Sequence, residues 1–522
     1  MGAHIQAVVD AEREVTVSEQ GDRYFDIISF DPRGVNHTTP TISCFPDSAA
    51  RDRWNLQVEA EGILGSSSRS LRTSWRRANA LAEGCSRMLM SDEMQSIAEH
   101  VSTASVAADI EQIVEKHGEW REAQARRLLA CKNSLINYAS PVCNSTVPSQ
   151  LVWKKGAEAL QYWGFSYGTL IGSTFASNFP DRIERMVLDG VVDMEDYYSG
   201  TWMGNLADTD KILDRFMHYC FRAGPSKCHF WREGGPEAIH DAYNQLLSDI
   251  KDDPLAVPGT EQRGPEIISW TDLKLLIKDA LYQPIHSFPI LAEMMQDITH
   301  GNGSRFADYK HGGRKALCHS SDKCKTPYSH DCILPGWSAY DVAPAVLCSD
   351  AEDSGVFTED DFRSYWGELQ NQSHAMGDYW AATRLTCAGW QAKAKNGFKG
   401  PFGANTSHPL LFVGNTLDTV TPFRNAAKTA DRFPGSGLLR QDSEGHCSFT
   451  QPSVCTAKAI RRYLQDGSLP VPGAVCASDS TPFLGAQALP DHASSGEKAL
   501  LRVLQEASSG FNTYPMFGSS YP

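Results

Sequence analysis

The fold is decided by residues 160–168, Leu-Gln-Tyr-Trp-Gly-Phe-Ser-Tyr-Gly, which end in a Gly-x-Ser-x-Gly pentapeptide. The apolar run before the pentapeptide predicts a β-strand, and the run from Thr169 to Phe179 predicts a helix. A serine in a tight turn between a strand and a helix is typical of a nucleophile elbow, where glycines keep side chains away from the hydroxyl. The stretch therefore predicts Ser166 as a nucleophile, against the alternative of a Gly-rich turn with an inert serine.

A serine nucleophile needs a base, and the base needs a carboxylate that orients it. Asp418 follows a strand predicted at Pro409–Val413, and His446 follows a strand predicted at Gly437–Arg440. The chain order Ser, Asp, His, with each residue at the carboxyl end of a strand, is typical of α/β-hydrolases. We therefore expect His446 to be the base and Asp418 to be the acid.

Three other features bear on this prediction. Asp189 and Asp193 lie after the apolar run that follows the elbow, and both compete with Asp418 for the role of the acid. The backbone N–H of Tyr167 opens the predicted helix, so we expect it to stabilise an oxyanion. The cluster of cysteines and histidines at 318–332 matches no common zinc-site spacing, and disulfides explain it better. We expect no cofactor and no metal.

The composition excludes several classes of protein. The 522 residues carry 63 acidic and 48 basic side chains, a formal net charge of −15, and 41% are hydrophobic. An acidic chain without a basic run argues against nucleic-acid binding. No stretch approaches the roughly 18 uncharged apolar residues that span a bilayer. The predicted partner is a peptide or a small-molecule ester or amide substrate, with no nucleic acid and no membrane span.

The cysteines and sequons indicate an oxidising, secretory setting. Fourteen cysteines are present, and short spacings such as Cys220 to Cys228 and Cys447 to Cys455 favour disulfides in loops. Residues 1–10 lack the features of a signal peptide and instead predict an amphipathic helix with Ile5, Val8 and Val9 on one side. The Asn-x-Ser/Thr sequons lie at Asn36, Asn144, Asn302, Asn371 and Asn405.

Strands that alternate with helical patterns predict an α/β fold with a mostly parallel sheet, including a strand at Phe25–Phe30. A long region of helical segments and Cys-rich loops predicts a large cap between the elbow half and the acid/His half. The predicted domains are a first core part at 1–196, the cap at 197–400, a second core part at 401–482 and a tail at 483–522. Residues 131–150, nearly uncharged and aperiodic, predict an insertion or a translated intron.

Several of these motifs together resemble the tripeptidyl-aminopeptidase-like (TAP-like) α/β-hydrolases, in particular those of fungi. The resemblance implies a serine hydrolase with Ser166 as nucleophile, Asp418 as acid and His446 as base. It also implies a secreted exopeptidase that releases amino acids or short peptides from N-termini. The motifs are Phe25–Gly34, Tyr162–Thr169, Arg185–Asp193, Leu417–Pro422 and Gly445–Ser448.

One departure from the family pattern leaves two alternatives to the peptidase. TAP-like hydrolases carry a Gly-rich oxyanion loop upstream of the Asp31–Gly34 turn, and this chain begins after the expected place of that loop. The departure predicts an N-terminally truncated chain that is catalytically impaired for want of a second oxyanion donor. The other alternative is an esterase or amide hydrolase that acts on a small molecule or a fungal secondary metabolite. An aminopeptidase needs a carboxylate for the substrate's α-ammonium, and the sequence singles out none.

Overall fold

A five-stranded sheet with the order β1-β2-β5-β6-β7 organises the molecule, and each adjacent pair in it is parallel. The computed structural model describes residues 2–10, 25–92, 96–131, 146–313, 338–352, 357–487, 489 and 493–510. Within these ranges the strands are β1 (Leu160–Phe165), β2 (Ile183–Asp189), β3 (Leu255–Val257), β4 (Glu266–Ile268), β5 (Leu411–Leu417), β6 (Gly437–Glu444), β7 (Val475–Ala477), β8 (Ser480–Thr481) and β9 (Gly485–Ala486).

Helices cover the sheet and fill the long connection between β2 and β5. In chain order the described helices are α1 (Gly2–Asp10), α2 (Ser48–Glu61), α3 (Ser70–Leu89), α4 (Thr103–Cys131), α5 (Tyr167–Asn178), α6 (Met194–Ser199), α7 (Thr209–Ala223), α8 (Pro236–Asp252), α9 (Trp270–Tyr282), α10 (Pro284–Thr299), α11 (Ser304–Gly313), α12 (Ser338–Asp350), α13 (Glu359–Gln372), α14 (Gly377–Leu385), α15 (Phe423–Ala430), α16 (Val454–Asp466) and α17 (Ser495–Gly510).

The central strands are near-continuous apolar runs because helices bury both of their faces. In β2 and β5 the side chains of Val187, Leu188, Phe412 and Val413 are fully buried. Their register places Leu188 beside Phe412 and Asp189 beside Val413, while Phe165 at the end of β1 lies beside Asp189. The carboxyl ends of neighbouring parallel strands therefore meet at one edge of the sheet, where polar residues can face one another.

The predicted α/β-hydrolase arrangement, a parallel sheet with a helical region between its two halves, is confirmed. Helices α7 to α14 all lie between β2 and β5 in the chain. All of them except α12 contribute to one large apolar core, whereas α12 packs into the core that also holds α5. Only helical segments and Cys-rich loops were expected in this region, but β3 and β4 form a short antiparallel ribbon there. The domain boundaries at 196/197, 400/401 and 482/483 stay predictions.

The helix predicted in residues 1–10 is confirmed, whereas the strand predicted at Phe25–Phe30 is wrong. Ile5, Val8 and Val9 are the buried residues of α1. Phe25–Phe30 forms no strand, and Ile28 and Phe30 are 66% and 40% exposed. A strand needs a neighbour for its main-chain hydrogen bonds, and no described strand pairs with this stretch. The side chain of Gln6 instead binds the carbonyl of Phe25 and the N–H of Ile27.

Four disulfides connect the described cysteines. The closely spaced Cys220 and Cys228 form one of them, and the others are Cys44–Cys85, Cys348–Cys387 and Cys455–Cys476. The short spacing of Cys447 and Cys455 does not produce a disulfide, because Cys447 is a buried free thiol. The cysteine cluster at 318–332 and residues 132–145 of the predicted insertion lie outside the described residues.

None of the helices in the described ranges combines the length and the apolar character that a membrane crossing requires.

Candidate active site

Ser166 occupies a tight turn between β1 and α5. Its φ of 53° and ψ of −121° lie in a region that residues with side chains rarely adopt. A Cβ atom at Gly164 would come within 2.5 Å of the Gly168 carbonyl oxygen, so only glycine fits there. The N–H of Ser166 donates to the Asp189 carbonyl at 3.1 Å. A strained serine held between a strand and a helix is the geometry of a nucleophile elbow.

Asp418 and His446 meet because their strands are neighbours in the sheet. Strand β5 ends at Leu417, and its register partner in β6 is Glu444, two residues before His446. The Nδ1 atom of His446 lies 2.9 Å from Oδ1 and 3.2 Å from Oδ2 of Asp418. Both side chains are almost completely buried. A carboxylate only accepts hydrogen bonds, so Nδ1 carries the proton and Nε2 is left with a free lone pair.

The Asp418 carboxylate is held in its ionised form. Its oxygens accept from the N–H groups of Val420 at 3.0 Å, Thr421 at 2.8 Å and Cys447 at 2.9 Å. Burial alone raises the pKa of this carboxyl, but the electrostatic interaction with His446 and the hydrogen bonds outweigh burial and hold the pKa below its usual value. The aspartate therefore presents a fixed negative charge to the imidazole.

The helical region also contacts His446. The ring of Tyr282, at the end of α9, packs edge-on against the imidazole with 5.3 Å between ring centroids. The Tyr282 carbonyl accepts from the His446 N–H at 3.0 Å. The sequence alone does not predict this contact, because no local pattern around Tyr282 indicates a partner more than 160 positions later.

The two competing acids have other partners. Asp189 accepts from the N–H of Ser448 at 2.9 Å and also from its hydroxyl. Burial raises the pKa of Asp189 to about 7, although the hydrogen bonds from Ser448 oppose that rise. Asp193 caps α6 and forms an ion pair with Lys428 at 2.8 Å. Of the three aspartates, the structure brings Asp418 into contact with the His446 imidazole.

A buried network anchors the side chain of Tyr167, whose N–H begins α5. The Tyr167 hydroxyl lies 2.7 Å from Thr103 Oγ1, which donates to Asp350. Asp350 also accepts from the Thr103 N–H at 2.9 Å and from the Tyr197 hydroxyl at 3.1 Å. Burial raises the pKa of Asp350 to about 7, and the hydrogen bonds from Thr103 and Tyr197 oppose that rise. No local sequence pattern indicates this network, because it joins three distant segments.

A cavity opens beside the elbow, and we call it the Ser166 cavity. Helix α6, the segment after it and α14 supply most of its walls. It is lined by Ser166, Tyr167, Val192, Asp193, Asp196, Tyr197, Trp202, Asn205, Leu347, Trp380, Thr383, Val420 and Thr421. A concave site with aromatic walls and a few polar groups is typical of a ligand pocket.

The described residues offer little for a metal ion. Asp418, His446 and Cys447 place ligand atoms within 4.8 Å of one another. The carboxylate already accepts several hydrogen bonds, and burial raises the pKa of the Cys447 thiol, which disfavours the thiolate that binds metals. The hydrogen-bonded pair of Asp418 and His446 accounts for this group without a metal.

Comparisons with known proteins indicate a serine hydrolase. Residues 373–476, which hold Asp418 and His446, match a family model described as TAP-like protein. The chain is similar to the serine protease Hip1 of Mycobacterium tuberculosis (strain CDC 1551 / Oshkosh), with 24% identity over 474 residues, covering 88% of this chain and 76% of that protein.

Two further relatives carry other names. The tripeptidyl aminopeptidase of Streptomyces lividans is 24% identical over 468 residues, covering 88% of this chain and 71% of the relative. Carboxylesterase B of Mycobacterium tuberculosis (strain CDC 1551 / Oshkosh) is 23% identical over 476 residues, covering 87% of this chain and 74% of the relative. Together the comparisons support the TAP-like α/β-hydrolase family and a serine hydrolase.

Proposed function

We propose that this serine hydrolase releases residues or short peptides from the N-termini of peptides through an acyl-enzyme, with Ser166, His446 and Asp418 as its catalytic residues. The observation that carries the proposal is the buried hydrogen bond from His446 Nδ1 to Asp418, 2.9 Å long, at the same sheet edge as the strained Ser166 turn. A hydrolase-fold relic would have no need for either the strain or the buried hydrogen-bonded pair of His446 and Asp418.

The chemistry follows from the positions of the protons. His446 takes the Ser166 hydroxyl proton on Nε2 as Oγ attacks the substrate carbonyl, and Asp418 stabilises the imidazolium that forms. The negative oxygen of the tetrahedral intermediate is stabilised by the Tyr167 N–H at the start of α5. The imidazolium then protonates the leaving amine, and a water molecule, deprotonated by the same imidazole, hydrolyses the acyl-enzyme. Hydrolysis should fall in acid, because a protonated His446 accepts no proton.

The likeness to proteins named serine protease and tripeptidyl aminopeptidase favours a peptide substrate. The test is to digest a set of synthetic peptides with the purified protein and identify the products by mass spectrometry. We expect short N-terminal fragments from wild-type protein and none from the Ser166→Ala variant. Cleavage at internal bonds, or equal cleavage by the variant, would contradict the proposal.

The second candidate is an esterase with the same catalytic residues, favoured by the likeness to carboxylesterase B. Peptide and ester hydrolysis share the acyl-enzyme, so the cavity beside Ser166 has to discriminate between them. A short-chain acyl ester that is hydrolysed while every peptide stays intact would favour the esterase.

Four described disulfides are consistent with a secreted protein. Secretion and glycosylation at the sequons form part of the proposal, as does the division into core, cap and tail at the predicted boundaries. The fungal type and an N-terminal truncation stay predictions.

A further inference from the structure

The polar residues of the Ser166 cavity include two acceptors whose hydrogen bonds are unfilled. Asn205 is 8% exposed; its Nδ2 donates to the Val420 carbonyl at 2.9 Å, and its Oδ1 has no partner among the described residues. Thr383 is 3% exposed, and its Oγ1 likewise has no partner there. Buried polar atoms nearly always have partners. Two unpartnered acceptors in the wall of one cavity therefore point to a ligand that donates hydrogen bonds.

The same cavity contains a negative charge without a counter-charge. The Asp196 carboxylate accepts from Thr201 Oγ1 at 2.6 Å and from the N–H groups of Met203 at 3.1 Å and Gly204 at 2.8 Å. All three donors are neutral. Within the described ranges, no Lys, Arg or His nitrogen lies in ion-pair contact with Asp196.

The two neighbouring acids, Asp193 at the N-cap of α6 and Glu195 within α6, differ in this respect. Asp193 contacts Lys428 Nζ at 2.8 Å, and Glu195 contacts the same Nζ at 2.9 Å and also pairs with Arg432. Their charges are already compensated at the surface. Asp196 is therefore the acid of the cavity that a cationic ligand would neutralise.

We propose that the Ser166 cavity binds the free α-ammonium group of the substrate's N-terminal residue, with Asp196 as its counter-charge and Asn205 and Thr383 as further acceptors. An α-ammonium has one positive charge and three N–H donors, which matches a carboxylate, an amide oxygen and a hydroxyl. An acetylated N-terminus is neutral and has a single N–H, so it leaves this set unfilled. The inference rests on the proposed function and names its selectivity for free N-termini.

The test compares anilides of one, two and three residues with their N-acetylated twins, using wild-type protein and three variants. For wild type we expect kcat/KM to be higher for the free amine. Asp196→Asn should lower the free-to-acetylated ratio roughly 10- to 100-fold, the range for hydrogen bonds to a charged group. The loss should fall on the free amine, which a general loss of structure would not produce.

Two variants separate this effect from damage to the fold. Glu195→Gln removes the same charge from the same helix outside the cavity, and it should keep the wild-type ratio. Thr383→Val keeps the side-chain shape without changing charge, and it should lower the ratio roughly 2- to 10-fold. If Asp196→Asn fails to fold, Thr383→Val still decides.

Labelling of Ser166 with a fluorophosphonate distinguishes the two ways of failing. Wild-type protein that is labelled but hydrolyses both twins equally, or neither of them, overturns the inference and leaves the serine hydrolase intact. A ratio unchanged in both Asp196→Asn and Thr383→Val also overturns the inference. Folded wild-type protein that is not labelled overturns the proposed function itself.

Discussion

The carboxyl ends of β5 and β2 each hold a buried aspartate, but the pKa values of the two aspartates shift in opposite directions. Each strand ends in a fully buried aspartate, Asp418 directly after β5 and Asp189 as the last residue of β2. Asp418 faces the imidazole of His446 and has a lowered pKa, whereas Asp189 faces the neutral Ser448 and has a pKa of about 7. Burial by itself makes a carboxyl harder to ionise. The partner across the loop decides which of the two serves as a charged acid.

Asp189 occupies a different position, in which it connects the proposed nucleophile to the loop of the proposed base. Its carbonyl accepts from the Ser166 N–H, and its carboxyl accepts from the N–H and hydroxyl of Ser448, two residues after His446. It thereby holds the elbow and the histidine loop in register. In the proposed mechanism Asp189 is a positioning residue and Asp418 a catalytic one, and this contrast can be tested.

The largest effect is expected from Asp418→Asn. An asparagine can turn its NH₂ group towards Nδ1, which favours the histidine tautomer with its proton on Nε2 and removes the base. We expect kcat to fall about 10⁴-fold, as for the loss of the aspartate in comparable triads. Steady-state hydrolysis of the best substrate measures it. A loss below 10-fold would show that Asp418 is not the acid.

The second effect is the pH dependence of the free energy of unfolding that Asp189 causes. Because the folded pKa of Asp189 is about 7 and its ordinary value is 3.8, its contribution to stability is complete below about pH 4 and is lost as the pH rises through 7. The free energy of unfolding of the wild type, relative to Asp189→Asn, should fall by on the order of 4 kcal/mol over that range. Denaturant unfolding at a series of pH values measures it.

The free energy of unfolding of the wild type, relative to Asp418→Asn, should instead rise with increasing pH. The folded pKa of Asp418 is lowered, so its contribution is present above about pH 4 and is lost as the pH falls through the folded pKa. If the two relative free energies of unfolding changed with pH in the same direction, the contrast between Asp189 and Asp418 would be contradicted.

The smallest effect is expected on the activity of Asp189→Asn. The variant keeps His446 and Asp418 in contact and loses part of the support from Ser448. We expect kcat to fall about 10-fold, the result of a misplaced loop with its chemistry intact. The shape of the pH–rate profile should stay that of the wild type. A loss of kcat as large as that of Asp418→Asn would contradict the positioning role of Asp189.

Local sequence signals were sufficient for the elbow and for both strands that lead to the acid and the base. Residues 160–168 became β1 and the turn at Ser166, and the apolar runs before Asp418 and His446 became β5 and β6. In each case the strand, the turn and the polar residue lie within about ten positions. Patterns of that length contain the information that determines them.

Features that depend on distant segments could not be predicted in this way. The Phe25–Phe30 run has the apolar character of β5, but none of the strands in the described ranges pairs with it. Cys44 pairs with Cys85 and Cys348 with Cys387, 41 and 39 residues apart. Cys447 and Cys455 lie close in sequence but do not pair with each other, since Cys455 bonds to Cys476 and Cys447 is a free thiol. Asp196, Asn205 and Thr383 reach one cavity from two regions of the helical segment. Contacts between such distant segments cannot be predicted from local sequence patterns.

The central claim is that His446 and Asp418 activate Ser166, and the most direct measurement is the rate of fluorophosphonate labelling. The wild type, Ser166→Ala and Asp418→Asn are compared after circular dichroism shows that each is folded. We predict one label per wild-type molecule on Ser166, none on Ser166→Ala, and labelling of Asp418→Asn slower by several orders of magnitude. Labelling that persists in Ser166→Ala, or proceeds at the wild-type rate in Asp418→Asn, would contradict the account.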